Sequence, residues 1–594
     1  MAATKDARGN EAPAGGTFLL EPVGKSGFLS PEGFSQEQRL YFKTADEFVR
    51  KEVVTKVEKL EHKDFDLMAS LLRKAGELGL LMASIPPKYD GLGLDETTVM
   101  MIGEAGAKYG SWSVSHGGHT GIGSLPIVWF GTEAQKQKYL PKIATGEWLC
   151  AYALSEAGSG SDALAAKTVA KLSPDGKEWI LNGTKAWITN AGFAQVFIVF
   201  AKVDGDKFSC FIVEKGAPGF SLGREEDKIG IKGSSTRSLI FEDGRIPKDA
   251  LLGEIGKGHK IAFNILNNGR LKLGVAANGG MKVSLEAAVS YATDRKAFGK
   301  SIIDFPLLRE KMARMVAVIY ANESMSYRTT GYIDARLAGI DHDSDGFGQA
   351  QMAAAEEYAI ESSILKVFGS EMLSAVVDES LQIHGGYGYT EEYQVARAYR
   401  DVRVNRIFEG TNEINRMLIP GMIFKRAAKG FPLMEWMGAV QADLEGGRAP
   451  AFDGPLAKEQ LAAESIKKLV AYSMKVAVET FGMELEQHQG VLASIADACI
   501  EAFAVDSMVG RTLVVGPTDE ARLAACRLYA HDGWARALAA TRKAVCASSK
   551  GPERDAHLAN LAKLYQYVPY DPAELRETLL TAVIAAGGVY PWKY

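Results

Sequence analysis

The sequence predicts an α+β protein of several domains, and three observations carry that reading. A block of short runs rich in β-branched and aromatic residues, from about Trp148 to Gly253, stands between long segments with apolar residues at three-to-four spacing. That order makes the middle block a small β-barrel or sandwich between an N-terminal and a C-terminal helical bundle. At 594 residues the chain exceeds what one core supports, since cores stop growing at about 250–300 residues. Past a Gly-, Pro- and Ala-rich stretch (444–455) helical periodicity resumes, which adds a C-terminal all-α domain. The expected divisions are a flexible N-terminal extension over 1–33, an α-helical domain over 34–146 and the β domain over 147–254. A helical bundle over 255–430, a linker over 431–455 and the additional helical domain over 456–594 complete them.

In the first bundle Gln36–Leu60 and Asp64–Leu80 are helical until Gly79 and Pro86-Pro87 end the pair. Glu96–Tyr109, Ser113–Phe130 and Thr132–Leu140 follow, the last capped by Thr132 and stopped at Pro141. Gly117, Gly118, Gly121 and Gly123 fall inside the Ser113–Phe130 helix. Each glycine costs about 1 kcal/mol relative to Ala in a helix interior. Four together point to close packing or to room left for a ligand. In the middle block, Ala151–Leu154, Thr168–Leu172, Glu178–Leu181, Ala186–Thr189, Gln195–Lys202, Phe208–Glu214 and Arg237–Phe241 read as about seven strands. Helices then run through Lys257–Thr293, Phe305–Ala338, Ala353–His384 and Asn412–Lys429. The last domain repeats the pattern at Ala462–Phe481, Gly490–Val514, Thr518–Ala547 and Arg554–Tyr565.

Net charge −5 without a basic stripe excludes a nucleic-acid footprint. The cysteines are scattered, and no CxxC or HExxH occurs, so neither a disulfide framework nor a metal site is indicated. The N-terminus lacks the apolar run of a signal peptide and the arginines of a transit peptide. No stretch reaches the ~18 apolar residues of a membrane span. The expectation is a cytoplasmic, bacterial protein. Phe424–Met437 mixes basic and apolar residues and could make weak peripheral membrane contact. Ordinary linker docking is the plainer reading, because the run is short and contains Gly430 and Pro432.

One stretch is distinguished by its chemistry: Arg406-Ile407-Phe408-Glu409-Gly410-Thr411-Asn412-Glu413-Ile414-Asn415-Arg416. Gly410 breaks the preceding structure, and Thr411 caps a new helix whose first turn favours Asn412 and Glu413. A carboxylate placed there beside apolar side chains is one whose pKa desolvation raises, as a general base for a weakly acidic C–H requires. Three further stretches attract notice. Tyr152–Asp162 leaves a strand into a Gly- and Ser-rich loop without the Rossmann spacing. Asn182–Asn190 feeds Trp187 and Thr189 into a strand. Gln382–Tyr389 ends a helix in glycines and aromatics, ahead of Arg397, Arg400, Asp401, Arg403 and Arg406.

Together these four stretches resemble the acyl-CoA dehydrogenase family over about Phe34 to Lys429. Within it they are most similar to the very-long-chain subgroup, through Asn264–Arg270, Ile407–Ile414 and the additional C-terminal helices. The resemblance implies the acyl-CoA dehydrogenase fold and an FAD enzyme that oxidises an acyl-CoA to trans-2-enoyl-CoA in fatty-acid β-oxidation. Electrons would pass to electron-transfer flavoprotein. By that resemblance Glu409 is the catalytic base. Tyr152, Leu154, Ser155, Gly160, Ser161, Trp187, Ile188 and Thr189 match FAD contacts, as do Thr411 and Glu413. Arg295, Phe298, Gln382 and Gly386 match residues that reach the FAD of a neighbouring subunit, which implies a homodimer. Ser161, Leu266, Asn267, Arg270, Phe408 and Gly410 match substrate contacts.

The sequence departs from the family at three points. Gly269 stands where some members carry the base, Ala297 where a hydroxyl is usual, and Pro306 where shorter-chain members have Gln. The glycines of Ser113–Phe130 favour a long acyl chain, because small residues at this level deepen the pocket in long-chain members. Two other readings share the scaffold: an acyl-CoA oxidase that passes electrons to oxygen, and an assembly protein without catalysis.

Overall fold

The computed structural model describes residues 12–24, 29–447, 450–564, 570–592 and 594. Its N-terminal bundle contains the helices Gln36–Phe48, Phe65–Glu77, Glu96–Gly106 and Glu133–Thr145. Ser35 caps the first in a capping box with Gln38, Asp64 and Asp95 cap the next two, and Thr132 pairs with Gln135 at the last. That last helix does not stop at Pro141. It continues to Thr145 because Leu140, Ile143 and Ala144 are buried, and it ends at Gly146 with φ +77°. The expected Ser113–Phe130 helix is three pieces: Gly110–Gly117, a π-turn over Gly118–Gly123, and Leu125–Phe130.

The middle domain has eight strands: β1 (Cys150–Ala153), β2 (Val169–Leu172), β3 (Glu178–Thr189), β4 (Val196–Val203), β5 (Lys207–Glu214), β6 (Phe220–Glu225), β7 (Thr236–Pro247) and β8 (Leu251–Leu252). They form one sheet in the order β6-β7-β3-β2-β4-β5-β8, with β1 parallel to β4. The two expected strands Glu178–Leu181 and Ala186–Thr189 are one, β3, interrupted by register shifts against β7. The shift between Lys185 and Ile188 turns Trp187 outward at φ +60°, as bulges re-aim side chains.

The C-terminal bundle is built on Gly258–Asp294, Pro306–Leu337, Ala359–His384 and Asn412–Ala427, with Phe347–Glu357 a separate helix. The additional domain contributes Ala457–Phe481, Gln489–Val515, Glu520–Ser548, Gly551–Leu564 and Pro572–Ala585, the last missed by periodicity. One hydrophobic cluster runs continuously from Leu271 and Val275 in the bundle to Phe503 and Leu523 in the additional domain. Ion pairs tie the same seam: buried Arg511 donates to Glu323 at 2.8 Å and to Glu32 at 2.7 Å, and half-buried Arg416 bridges Glu371 and Asp497 at 2.7 Å each.

Three expectations change here. Residues 431–455 are not a plain linker: Leu433–Gly446 is a helix that buries Leu433, Met437 and Val440. The same burial removes most of the surface proposed for membrane contact, with Phe424, Phe431 and Trp436 packed on the core and Arg426 paired with Glu357 at 2.7 Å. Among the described residues no helix is long and apolar enough to cross a membrane. The flexible N-terminal extension was expected over 1–33, of which 1–11 and 25–28 lie outside the described residues. Residues 12–24 are packed: Phe18 and Leu19 are buried, and the Gly15 and Gly16 N–H groups donate to Glu357 and Glu361 at 2.8 and 2.6 Å. Composition rich in Ala, Gly and Pro concealed the two apolar anchors.

Phe18 stands 4.7 Å, ring to ring, from Phe503 of the additional domain. Phe18→Ala is therefore expected to cost about 3 kcal/mol, the usual result of emptying a buried aromatic site. Thermal and denaturant unfolding check this, and a midpoint equal to wild type contradicts it.

Candidate active site

Glu409 follows the short 3₁₀ turn Arg403–Arg406 and precedes the cap residue Thr411, whose Oγ1 accepts from Ile414 N at 3.3 Å. Its backbone lies at φ +58°, a conformation costly for a non-glycine residue, and Gly410 follows at +77°. Several groups hold this turn. Arg270 donates through Nε to Glu409 O at 3.1 Å and through a terminal nitrogen to Asn267 Oδ1 at 2.8 Å. Lys366 donates to Gly410 O at 2.7 Å and to Asn412 Oδ1 at 2.6 Å. Asn415 donates to Gly410 O at 2.9 Å and Thr411 O at 3.0 Å.

The Glu409 side chain lies against the Gly258–Asp294 helix at Gly269. A Cβ at Gly269 would stand 2.4 Å from Oε2, so the carboxylate in this position depends on the missing side chain there. Oε2 is buried and has no hydrogen-bond partner among the described residues. Burial pushes the Glu409 carboxyl up from 4.5 to about 7, against the opposing charges of Arg270 and Lys366. Burial also brings the Lys366 ammonium down to about 7, with Glu409 acting in the other direction.

Glu409 opens on a cavity of about 190 Å³ that continues into a solvent-open cleft. All three parent domains line it: Gly117, Gly118 and Gly121 from the first bundle, Thr189 from β3, and Gly269 through Ala287 from one face of the long helix. Phe408 lines it beside Glu409. Gly123, grouped with the other glycines by sequence, has a different reason: its Cβ would stand 2.6 Å from the Cβ of Cys150. Gly103, Gly106 and Gly280 widen the cavity from other helices, and their spacing in sequence did not reveal it.

The loop after β1 is held by a buried pair that the sequence reading missed. Glu156 accepts from Lys185 Nζ at 2.8 Å, Lys167 N at 2.7 Å and Thr168 N at 3.0 Å, and Lys185 also donates to Leu154 O at 3.2 Å. Burial opposes ionisation of Glu156, yet Lys185 and the Thr168 and Lys167 hydrogen bonds outweigh it and hold the carboxyl at about 2. Ser155 O accepts from Ala186 N at 2.9 Å, which joins the loop to the bulge that carries Trp187.

The predicted site residues fall into two groups. Tyr152, Leu154, Ser155, Trp187, Thr189, Arg270, Phe408, Gly410 and Thr411 gather round Glu409 or on the loop and strand beside it, with Gly160 and Ser161 exposed on that loop and Glu413 on the first turn after Thr411. Arg295 and Gly386 line a separate groove with Gly385 and Tyr387, Gln382 is exposed on the last turn of the helix before it, and Phe298 is 94% exposed at φ +50°. Ile188 buries its side chain in the β-domain core, so only its backbone is available. Leu266 is half-buried against the cluster between the first bundle and the sheet, and Asn267 accepts from Arg270. Lys366 and Gly269 are the functional residues that pattern reading did not credit; a lone lysine inside the apolar run Ile364–Phe368 was the available signal.

This donor set suits a large flat cofactor. The Tyr152 hydroxyl is buried without a partner among the described residues, Trp187 is 57% exposed in a strained conformation, and a Cβ at Gly158, Gly160, Gly385 or Gly386 would meet nothing within 4 Å. Among the described residues no cluster of His, Cys, Asp or Glu could hold a metal.

Comparison with known proteins agrees with this geometry. The acyl-CoA dehydrogenase N-terminal, middle and C-terminal domain models match residues 35–147, 151–244 and 256–422, and a further acyl-CoA dehydrogenase C-terminal domain model matches 465–563. The chain is 43% identical over 584 residues to a probable acyl-CoA dehydrogenase of Bacillus subtilis (strain 168), covering 96% of this chain and 98% of that one. It is 41% identical over 353 residues to the mitochondrial very long-chain specific acyl-CoA dehydrogenase of Homo sapiens, 58% of this chain and 51% of that one. The crystal structure of an acyl-CoA dehydrogenase complexed with FAD from Bacillus anthracis superposes with a TM-score of 0.95 at 44% identity, covering 98% of this chain and all, 100%, of that one.

Breaking the Glu156–Lys185 pair leaves a buried ammonium uncompensated. Glu156→Gln is expected to lower stability by about 3 kcal/mol, and Glu156→Gln with Lys185→Met to recover part of the loss. Denaturant unfolding of the two variants checks the order, and equal stabilities contradict it.

Proposed function

The chain belongs to the acyl-CoA dehydrogenase family, and on that premise we propose that it desaturates long or very long acyl-CoA thioesters to trans-2-enoyl-CoA with Glu409 as the base. It is an FAD-dependent oxidoreductase. FAD, when bound, supplies the hydride acceptor. The observation that carries the role of Glu409 is its buried, unpartnered Oε2 at the head of the cavity. Near neutral pH a carboxyl raised to about 7 is ionised in a large fraction of molecules, and it is basic enough to take an α-proton that the thioester carbonyl acidifies. The Glu409 N–H would donate to that carbonyl oxygen, where charge develops as the proton leaves. Arg270 and Lys366 fix the turn that aims both groups.

The length of the cavity supports the long-chain assignment. It follows the Gly258–Asp294 helix from Gly269 to Ala287, about 27 Å at 1.5 Å per residue. A lipid acyl chain spans about half of a ~30 Å bilayer core, so the track accommodates one at full length. The separation of Arg295, Phe298 and Gly386 from the Glu409 cavity supports a site completed by a second copy of the chain, hence a homodimer. Electron-transfer flavoprotein is the acceptor this reading implies.

Anaerobic titration of the flavoprotein with palmitoyl-CoA, and with butyryl-CoA for comparison, tests the proposal. The wild type is expected to bleach with palmitoyl-CoA at lower concentration than with butyryl-CoA, and Glu409→Gln to keep its yellow colour with both. Bleaching of the Gln variant at the wild-type rate removes Glu409 as the base. Preference for butyryl-CoA removes the long-chain assignment.

A further inference from the structure

The wall of the acyl cavity contains a cation with an incomplete set of partners. Lys272 lies one turn, about 4.5 Å, past Gly269 on the Gly258–Asp294 helix, and both line the cavity. Its stem threads a notch formed by glycines of two neighbouring helices. A Cβ at Gly103 would stand 3.7 Å from Lys272 Cε, one at Gly117 4.0 Å from it, and one at Gly121 3.7 Å from Nζ. The glycines that suggested room for a ligand are thus partly shaped round this lysine.

Nζ donates to Thr120 Oγ1 at 2.6 Å, and Thr120 gives its own proton to His116 O at 2.9 Å. Among the described residues no carboxylate oxygen pairs with Nζ at salt-bridge distance; Glu96, whose charge is felt there, accepts from Asn268 at 2.7 Å. An ammonium has three N–H donors, and Thr120 Oγ1 takes one of them. Burial lowers the Lys272 ammonium to about 8, with Glu96 opposing, so it remains mostly charged at neutral pH. A plain hydrocarbon chain offers such a group nothing.

We propose that Lys272 is a specificity residue, and that the cavity takes acyl chains carrying an oxygen acceptor, hydroxyl or carboxylate, a few carbons beyond the reacting pair. Nζ donates to that oxygen. The proposal rests on the acyl-CoA dehydrogenase reading of the same cavity and narrows its substrate class.

The test is kcat/KM of the holoenzyme for CoA thioesters of hexanoic, octanoic, decanoic and dodecanoic acids, each with a plain, an ω-hydroxyl and an ω-carboxyl end. At one length an oxygenated chain is expected to exceed the plain one by roughly tenfold, the effect of one hydrogen bond to a charged group. Lys272→Met should bring that ratio to about one, and Lys272→Gln should keep a hydroxyl preference while losing a carboxylate preference. Plain chains preferred at every length, or a ratio unchanged in Lys272→Met, overturn the proposal. The wild-type series decides alone if the Met variant does not fold. Turnover of plain chains only sinks this inference and spares the parent reading, whereas no turnover of any thioester sinks both.

Discussion

The architecture depends on the seating of one carboxylate. Glu409 occupies a backbone conformation that non-glycine residues avoid, at a turn between two helical segments, with its side chain against Gly269, a position of the long helix that lacks a Cβ. The turn needs Arg270, Lys366 and Asn415 on its carbonyls, and the carboxylate needs the space at Gly269. Strain held by surrounding hydrogen bonds is common at catalytic groups, because it fixes a reactive atom without requiring the substrate to organise it.

The domains serve this seat in different ways. The long helix supplies the notch and one wall of the cavity, and the first bundle closes the opposite wall with its π-turn glycines. The bulge in β3 brings Thr189 to the same space while Trp187 faces outward. Behind them the additional helical domain shares a continuous core with the C-terminal bundle and grips the helix after Glu409 through Arg416 and Asp497. The Arg511–Glu323–Glu32 ions close the same seam. Taking one partner from a buried set such as this is more damaging than replacing the whole set by apolar groups.

Much of this was legible in the sequence because the informative signals are local. Periodicity located the long helices, and β-branched runs separated by turn residues located the sheet. The Glu409-Gly410-Thr411 step marked a break followed by a capped helix. What pattern reading missed depends on distant partners. Lys366 meets Gly410 across 44 positions and Lys185 meets Glu156 across 29, so neither lysine carries a local mark of its partner. Pro141 was misjudged because burial outweighs one lost backbone bond, and Gly123 because close packing against Cys150 and cavity lining leave the same residue type. The helix Leu433–Gly446 was obscured by flanking Gly and Pro, although Leu433, Met437, Val440 and Leu444 keep helical spacing.

Burial against Gly269 holds the Glu409 carboxyl near neutrality. Infrared difference spectroscopy of the protonated carboxyl band, recorded between about pH 5 and 9 on wild type and Glu409→Gln, tests this. A band present at acid pH is expected to disappear with a midpoint near 7 in the wild type and to be missing from the variant. A Glu409 carboxyl already ionised at pH 5, like a solvated glutamate, would contradict it.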